Sequence, residues 1–185
     1  MLTAQQKKRE NIAEYIIYMW QVEDLIRANH CDMNRIRATI IPQYKDLSPE
    51  LQLAVIDWWD NLVEMMRLEH KEEKGHLQIL VNTVNEMNTL HHQLLASPKY
   101  LSYQMQFNAV IPLIKELELK TQPRPENDIE LMLMAIYSSF LLKLKGRPVT
   151  NETQQALTVF GRFLALLSKF YKDDQAGKID WEDEV

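Results

Sequence analysis

Cysteine, glycine and basic charge are what this chain has little of, and each shortage excludes something. Cys31 is the single cysteine, so no disulfide can form within the chain and the disulfide-dense secreted scaffolds are ruled out. Glycine occurs four times and proline seven in 185 residues. Leu, Met, Glu, Lys and Gln abound instead, so residues that tolerate helix geometry dominate those that break it, and the expectation is an all-α chain. Lys and Arg number 21 against 26 Asp and Glu, a formal net charge of -5. A phosphate-binding surface needs cations gathered on one face, so nucleic acid is not an expected partner; Lys7 to Arg9 is the one basic cluster near the start.

Long apolar runs are also missing. The run Tyr15 to Trp20 is cut short by Gln21, Glu23 and Asp24, which is too brief for a signal peptide or a membrane span. The most apolar segment, Leu131 to Leu144, carries two serines and ends at Lys143 and Lys145, the pattern of a buried core helix. A cytoplasmic location with no membrane partner is the expectation.

What is present suits a packed core. Hydrophobic residues make up 46% and charged residues 25%, the ordinary globular balance. The length fits one domain, and the reading is a single helical domain over residues 1–172, with an internal sub-boundary at 121–127 where Pro123 and Pro125 stand. Residues 173–185 read as an acidic, flexible tail, with Asp173, Asp174, Asp180, Glu182, Asp183 and Glu184 around an odd Ile179 and Trp181.

The hydrophobic period predicts an irregular bundle of about six or seven helices, with the sixth and seventh at its centre. The first spans about Gln5 to Asn29. Asp32 caps a short second helix that stops near Pro42. Ser48 before Pro49 opens the third, and Ser97 before Pro98 opens the fifth, since a capping hydroxyl followed by proline is a helix start. The fourth carries Leu77, Leu80, Val81, Val84, Asn88 and His91. The sixth runs from about Asp128 to Lys145, and Thr150 or Asn151 starts the seventh. No fixed-period repeat is present.

Polar residues on apolar stripes are the candidates for chemistry. Glu23 falls in the middle of the stripe made by Ile12, Ile16, Met19 and Ile26, where an acid is costly unless paired. Arg27, one turn later, is the expected partner, either in an internal ion pair or in a polar pocket; Asp24 points outward. Glu73, Asn88 and His91 share the stripe of the fourth helix, with Asn88 and His91 close enough in register to bond. Alternatively His91 and Glu23 converge between helices as an acid–base or metal site. Glu73 and His76 form one Glu-x-x-His, the spacing of di-metal bundles, but no second such pair exists, so no metal or cofactor is expected. His91 and His92 diverge on a helix, and Cys31 reads as a small buried hydrophobe. Gly-rich phosphate loops, zinc-finger spacing and a nucleophile elbow are absent from the sequence, and no catalytic residue is assigned.

The seventh helix has two apolar stripes. Leu157, Phe160, Leu164 and Tyr171, with Gly161 and Ser168, form one; Val159, Phe163, Leu166 and Phe170 form the other, on nearly the opposite side. Either the helix is sandwiched in its own chain, or the second stripe is an interface with another subunit.

Three segments, NIAEYIIYMWQVEDLIRA from Asn11 to Ala28, EKGHLQI from Glu73 to Ile79 and FLALLSKFY from Phe163 to Tyr171, resemble an uncharacterised bacterial family of domain-of-unknown-function proteins of about this length. The resemblance implies a bacterial, cytoplasmic helical protein with no catalytic residues to carry over, and it directs attention to Trp20, Glu23, Arg27, Glu73 and His76. The leading expectation is a helical interaction or scaffold protein that self-associates as a homo-oligomer or meets another protein. The competing one is a small-ligand or metal-dependent enzyme whose polar pocket uses Glu23, Arg27, Glu73, His76, Asn88 and His91.

Overall fold

The computed structural model describes residues 1–181, and among these the fold is all-α, with eight α-helices and no strand. They are α1 (Leu2–Glu10), α2 (Ile12–Ala28), α3 (Met33–Thr39), α4 (Pro49–Leu68), α5 (Gln78–Ala96), α6 (Leu101–Glu118), α7 (Asp128–Leu144) and α8 (Asn151–Gln175), with 3-10 turns at Ile41–Tyr44 and Pro98–Tyr100. No helix among the described residues is long and apolar enough to cross a membrane.

The polar caps fall where short side chains satisfy orphan backbone donors. Asp32 accepts from Asn34 N–H, Ser48 from Leu51 N–H, Asn127 from Glu130 N–H and Thr150 from Thr153 N–H. Several boundaries differ from the sequence reading; Ser97 caps the 3-10 turn Pro98–Tyr100, and the helix expected to open there, α6, begins at Leu101. The expected first helix is two, broken at Asn11, a residue type whose short amide competes for nearby backbone groups. The expected fourth helix starts only at Gln78, so Glu73 and His76 lie in the preceding loop, where Gly75 takes φ +83°.

The chain divides into two compact units, one of residues 1–9 and 14–82, the other of 10–13 and 83–185. The division therefore falls inside α2 and α5, and the proline-bearing stretch 121–127 lies within the second unit. In the first unit the core gathers Ile16, Ile26, Ile36, Val55, Trp59, Met66, Leu77 and Leu80, with α3 packed on α4. In the second, α8 packs on both α6 and α7, and the core holds Leu94, Tyr103, Phe107, Ile129, Met132, Phe160, Phe163 and Leu167. The observed α7 and α8 are the expected sixth and seventh helices. The start of α2 is tied to α8 by Ser168 Oγ, which accepts from Ala13 N–H at 3.2 Å and donates to Leu164 O at 2.7 Å.

α8 continues through Asp173 and Asp174 to Gln175, beyond the end of its apolar pattern. After it, Asp180 pairs with Lys99 at 2.9 Å, and Trp181 meets Tyr100 edge-on and donates from Nε1 to Asp174. Of the acidic tail read from the sequence, Glu182, Asp183 and Glu184 lie outside the described residues.

Candidate functional site

Helical spacing sets Glu23 one turn after Met19 and one turn before Ile26, so the carboxylate faces inward and is fully buried, 0% exposed. Burying an unpaired carboxylate costs several kcal/mol, so its partners decide whether the fold tolerates it. They are in the loop after α4. Oε1 accepts from Leu77 N–H at 2.8 Å, and Oε2 lies 2.5 Å from His76 Nδ1. A carboxylate only accepts, so His76 donates through Nδ1–H, and the lone pair of the neutral ring is on Nε2. The imidazole also stacks on the Trp20 indole, with ring centroids 4.4 Å apart and planes 20° apart, while 29% of its side chain meets solvent.

Arg27 is not the partner of Glu23. Its Nη1 binds Asp24 Oδ1 at 2.9 Å, its Nε donates to Lys71 O at 3.1 Å, and its Nη2 donates to Gly75 O. Asp24 and Arg27 are three apart, a favourable helical pair, and the guanidinium fork fits two loop carbonyls that a helix-facing position would not supply. Asp24 thus has the role that the sequence reading withheld from it. Glu69 accepts from Gln78 N–H at 2.6 Å, satisfying an orphan donor at the start of α5. Residues 69–78 are therefore fastened at several points to α2 and to their own ends.

Glu73 is exposed in this loop, so Glu73 and His76 do not share a helical face as a di-metal motif requires. Among the described residues no group of three or more His, Cys, Asp and Glu is placed to hold a metal ion. Cys31 is buried at φ +52°, its thiol pKa pushed up first by burial and then by Glu72, which favours an inert thiol.

In the second unit His91 is buried as its wheel position requires, 1% exposed. Its partner is not Asn88, which is half-buried, nor Glu23, but Tyr103, whose hydroxyl lies 2.7 Å from Nδ1. The rings of Phe107 and Phe163 pack edge-on to it, with centroids at 4.4 and 5.8 Å. Burial, with a smaller push from His92, lowers the His91 pKa to about 4, and burial raises that of Tyr103. A neutral imidazole sealed among rings acts as a core hydrogen-bonding group. His92 is exposed.

The second unit also contains an open groove of about 740 Å³, formed by the last turns of α6, the length of α7 and the first turns of α8. Leu113, Leu117, Met134, Leu142, Val159 and Phe160 give it apolar walls, and Glu116, Lys120, Thr150, Thr153 and Gln155 give it polar ones. Of the stripe expected to be an interface, Phe163 is buried in its own unit, Phe170 packs edge-on to Tyr100 and Tyr103, and Val159 and Leu166 are half-buried. No single-segment pattern announces the groove, Tyr103 or the loop carbonyls, because each is assembled from residues distant in sequence; the Asp24–Arg27 pair, three apart, is the kind of contact that local spacing does announce.

Among the described residues, fold and site together define an all-α protein with a buried carboxylate–imidazole pair and an apolar groove. The family described as domain of unknown function DUF4924 matches residues 1–178, and the chain belongs to it. No curated protein and no solved structure matches the chain.

Proposed function

We propose that this chain is a helical interaction protein that self-associates in the cytoplasm, with the groove of the second unit receiving an apolar ridge of another copy. The groove carries the reading. Its volume of about 740 Å³ is an open, largely apolar recess of the kind that takes up side chains or a small ligand. The same unit also exposes apolar side chains outside the groove, since Leu101 and Met105, one turn apart on α6, are 61% and 72% exposed. A recess and exposed apolar side chains on one unit are what a contact between identical subunits needs. Val159 links the groove to the stripe of α8 whose double-sided pattern first suggested a second subunit. The lone, buried Cys31 suits a reducing compartment.

Light scattering across micromolar concentrations tests the proposal. The expected result is a dimer or higher assembly that dissociates in Met105→Glu, which charges the exposed apolar pair, and in Ala135→Trp, which fills the groove. A wild-type chain that stays monomeric throughout overturns it. The threonines and Gln155 on the groove wall favour a second reading, an amphipathic small molecule, which predicts a monomer that binds an anilinonaphthalene dye and loses that binding in Ala135→Trp.

A further inference from the structure

The Glu23–His76 pair lies in the first unit and plays no part in that association. A carboxylate held wholly inside the fold is an expensive way to fix a connecting loop, because a neutral side chain could accept from Leu77 N–H without the desolvation cost of an ion. What the charge adds is specific to the imidazole. Bound to His76 Nδ1 at 2.5 Å, it fixes the tautomer, directs the lone pair to Nε2 and stabilises positive charge that develops on the ring. Trp20, stacked on one face, holds the ring plane. The other requirement of a reactive nitrogen is access, and 29% of the His76 side chain is open.

We propose that His76 Nε2 is a nucleophile that accepts a phosphoryl group. The loop carries exposed Glu72 and Glu73 as well as Lys71 and Lys74, and Arg27 is paired with Asp24, so the preference for an anionic group rests on the one ammonium that reaches the residue beside His76. The Lys71 ammonium lies over Gly75, next to His76 in the chain; a Cβ built on that glycine would be 3.6 Å from Lys71 Nζ. Lys74 is exposed in the same loop, and Arg27 is anchored beneath it on the Lys71 and Gly75 carbonyls. In the transfer, the Nε2 lone pair attacks phosphorus, the P–N bond forms, and the bond from phosphorus to the donor's leaving group breaks, with its electron pair leaving on that group. No proton has to depart from the ring: Nδ1–H stays on Glu23, which balances the imidazolium charge of the product. The chemistry is the same whether the donor is a small phosphoryl compound or a phosphorylated protein.

The five histidines of the chain make the test internally controlled. The folded full-length protein is incubated with phosphoramidate, and phosphohistidine at each site is followed by mass spectrometry with 31P NMR. His30, His70 and His92 are all exposed and serve as references. His76 should react at Nε2 roughly tenfold or more faster than any of them, as expected for an activated nucleophile. Glu23→Gln should bring His76 down to the reference rates while leaving His30, His70 and His92 unchanged. Lys71→Met, a surface change that leaves the buried pair in place, should slow His76 alone. Acetyl phosphate and a phosphorylated cell fraction then separate a small donor from a protein donor. A wild-type His76 that reacts no faster than His92 overturns the proposal without recourse to any variant, and an unchanged His76 rate in folded Glu23→Gln overturns the role of the carboxylate.

Discussion

His91 and Glu23 occupy equivalent places in the physics of the fold, polar atoms on apolar stripes, yet they were solved by different means. His91 is kept neutral by burial, with its pKa lowered to about 4 from 6.5. The unfolded chain takes up a proton near 6.5 while the native state does not, so the unfolded state binds more protons between these values. Stability is therefore full above about pH 6.5 and falls as the pH drops toward 4, by about 3 kcal/mol at the lower end. Urea titrations at pH 7, 5.5 and 4.5 should show that decline, and His91→Phe should flatten the His91 share of it. Glu23 is matched by two donors, so Glu23→Ala strands Leu77 N–H and His76 Nδ1–H and should cost about 2 to 4 kcal/mol, read from the same titrations. The inward phase of both residues was legible from the heptad-like spacing of their neighbours. Their partners were not: Glu23 looked to Arg27 because only local spacing is visible in one dimension, whereas His76 reaches it across a loop 53 residues away in sequence.

At the scale of elements, the sequence spoke most clearly where a single residue type has one good use. Asp32, Ser48 with Pro49 and Thr150 all cap as their chemistry dictates, and Asn127, which reads in the sequence only as the end of a linker, caps α7 as well. Asn127→Ala, which removes the acceptor for Glu130 N–H at 2.8 Å, should lower stability by about 1 kcal/mol in thermal or urea denaturation, while Asn127→Asp should hold it. The charge run from Glu69 to Lys74 and Gly75 mark a turn, and α5 starts at Gln78, one residue after Leu77; what fails is carrying the stripe of that helix back to Glu73, because Gly75 at φ +83° ends any helical path there. That break takes Glu73 off the stripe and dissolves the Glu-x-x-His motif, while leaving His76 in a loop where Glu23 can meet it.

For the molecule as a whole, composition already determined the class. Scarce glycine, ample helix formers and apolar residues at helical spacing leave only an all-α fold, and the family match over residues 1–178 agrees with the resemblance read from three short segments. The double stripe of α8 was equally plain, since both faces of a helix are written in its own residues; that Phe160 and Phe163 are both buried within one unit depended on which neighbours arrived to cover them. The sequence by itself decided helix content, caps and which polar residues must turn inward, because these follow from local backbone sterics and from a period shared by near neighbours. Only the tertiary structure decided that Glu23 meets His76, that His91 meets Tyr103, and that α6, α7 and α8 leave a groove, because each is a meeting of residues that the chain brings together only by folding.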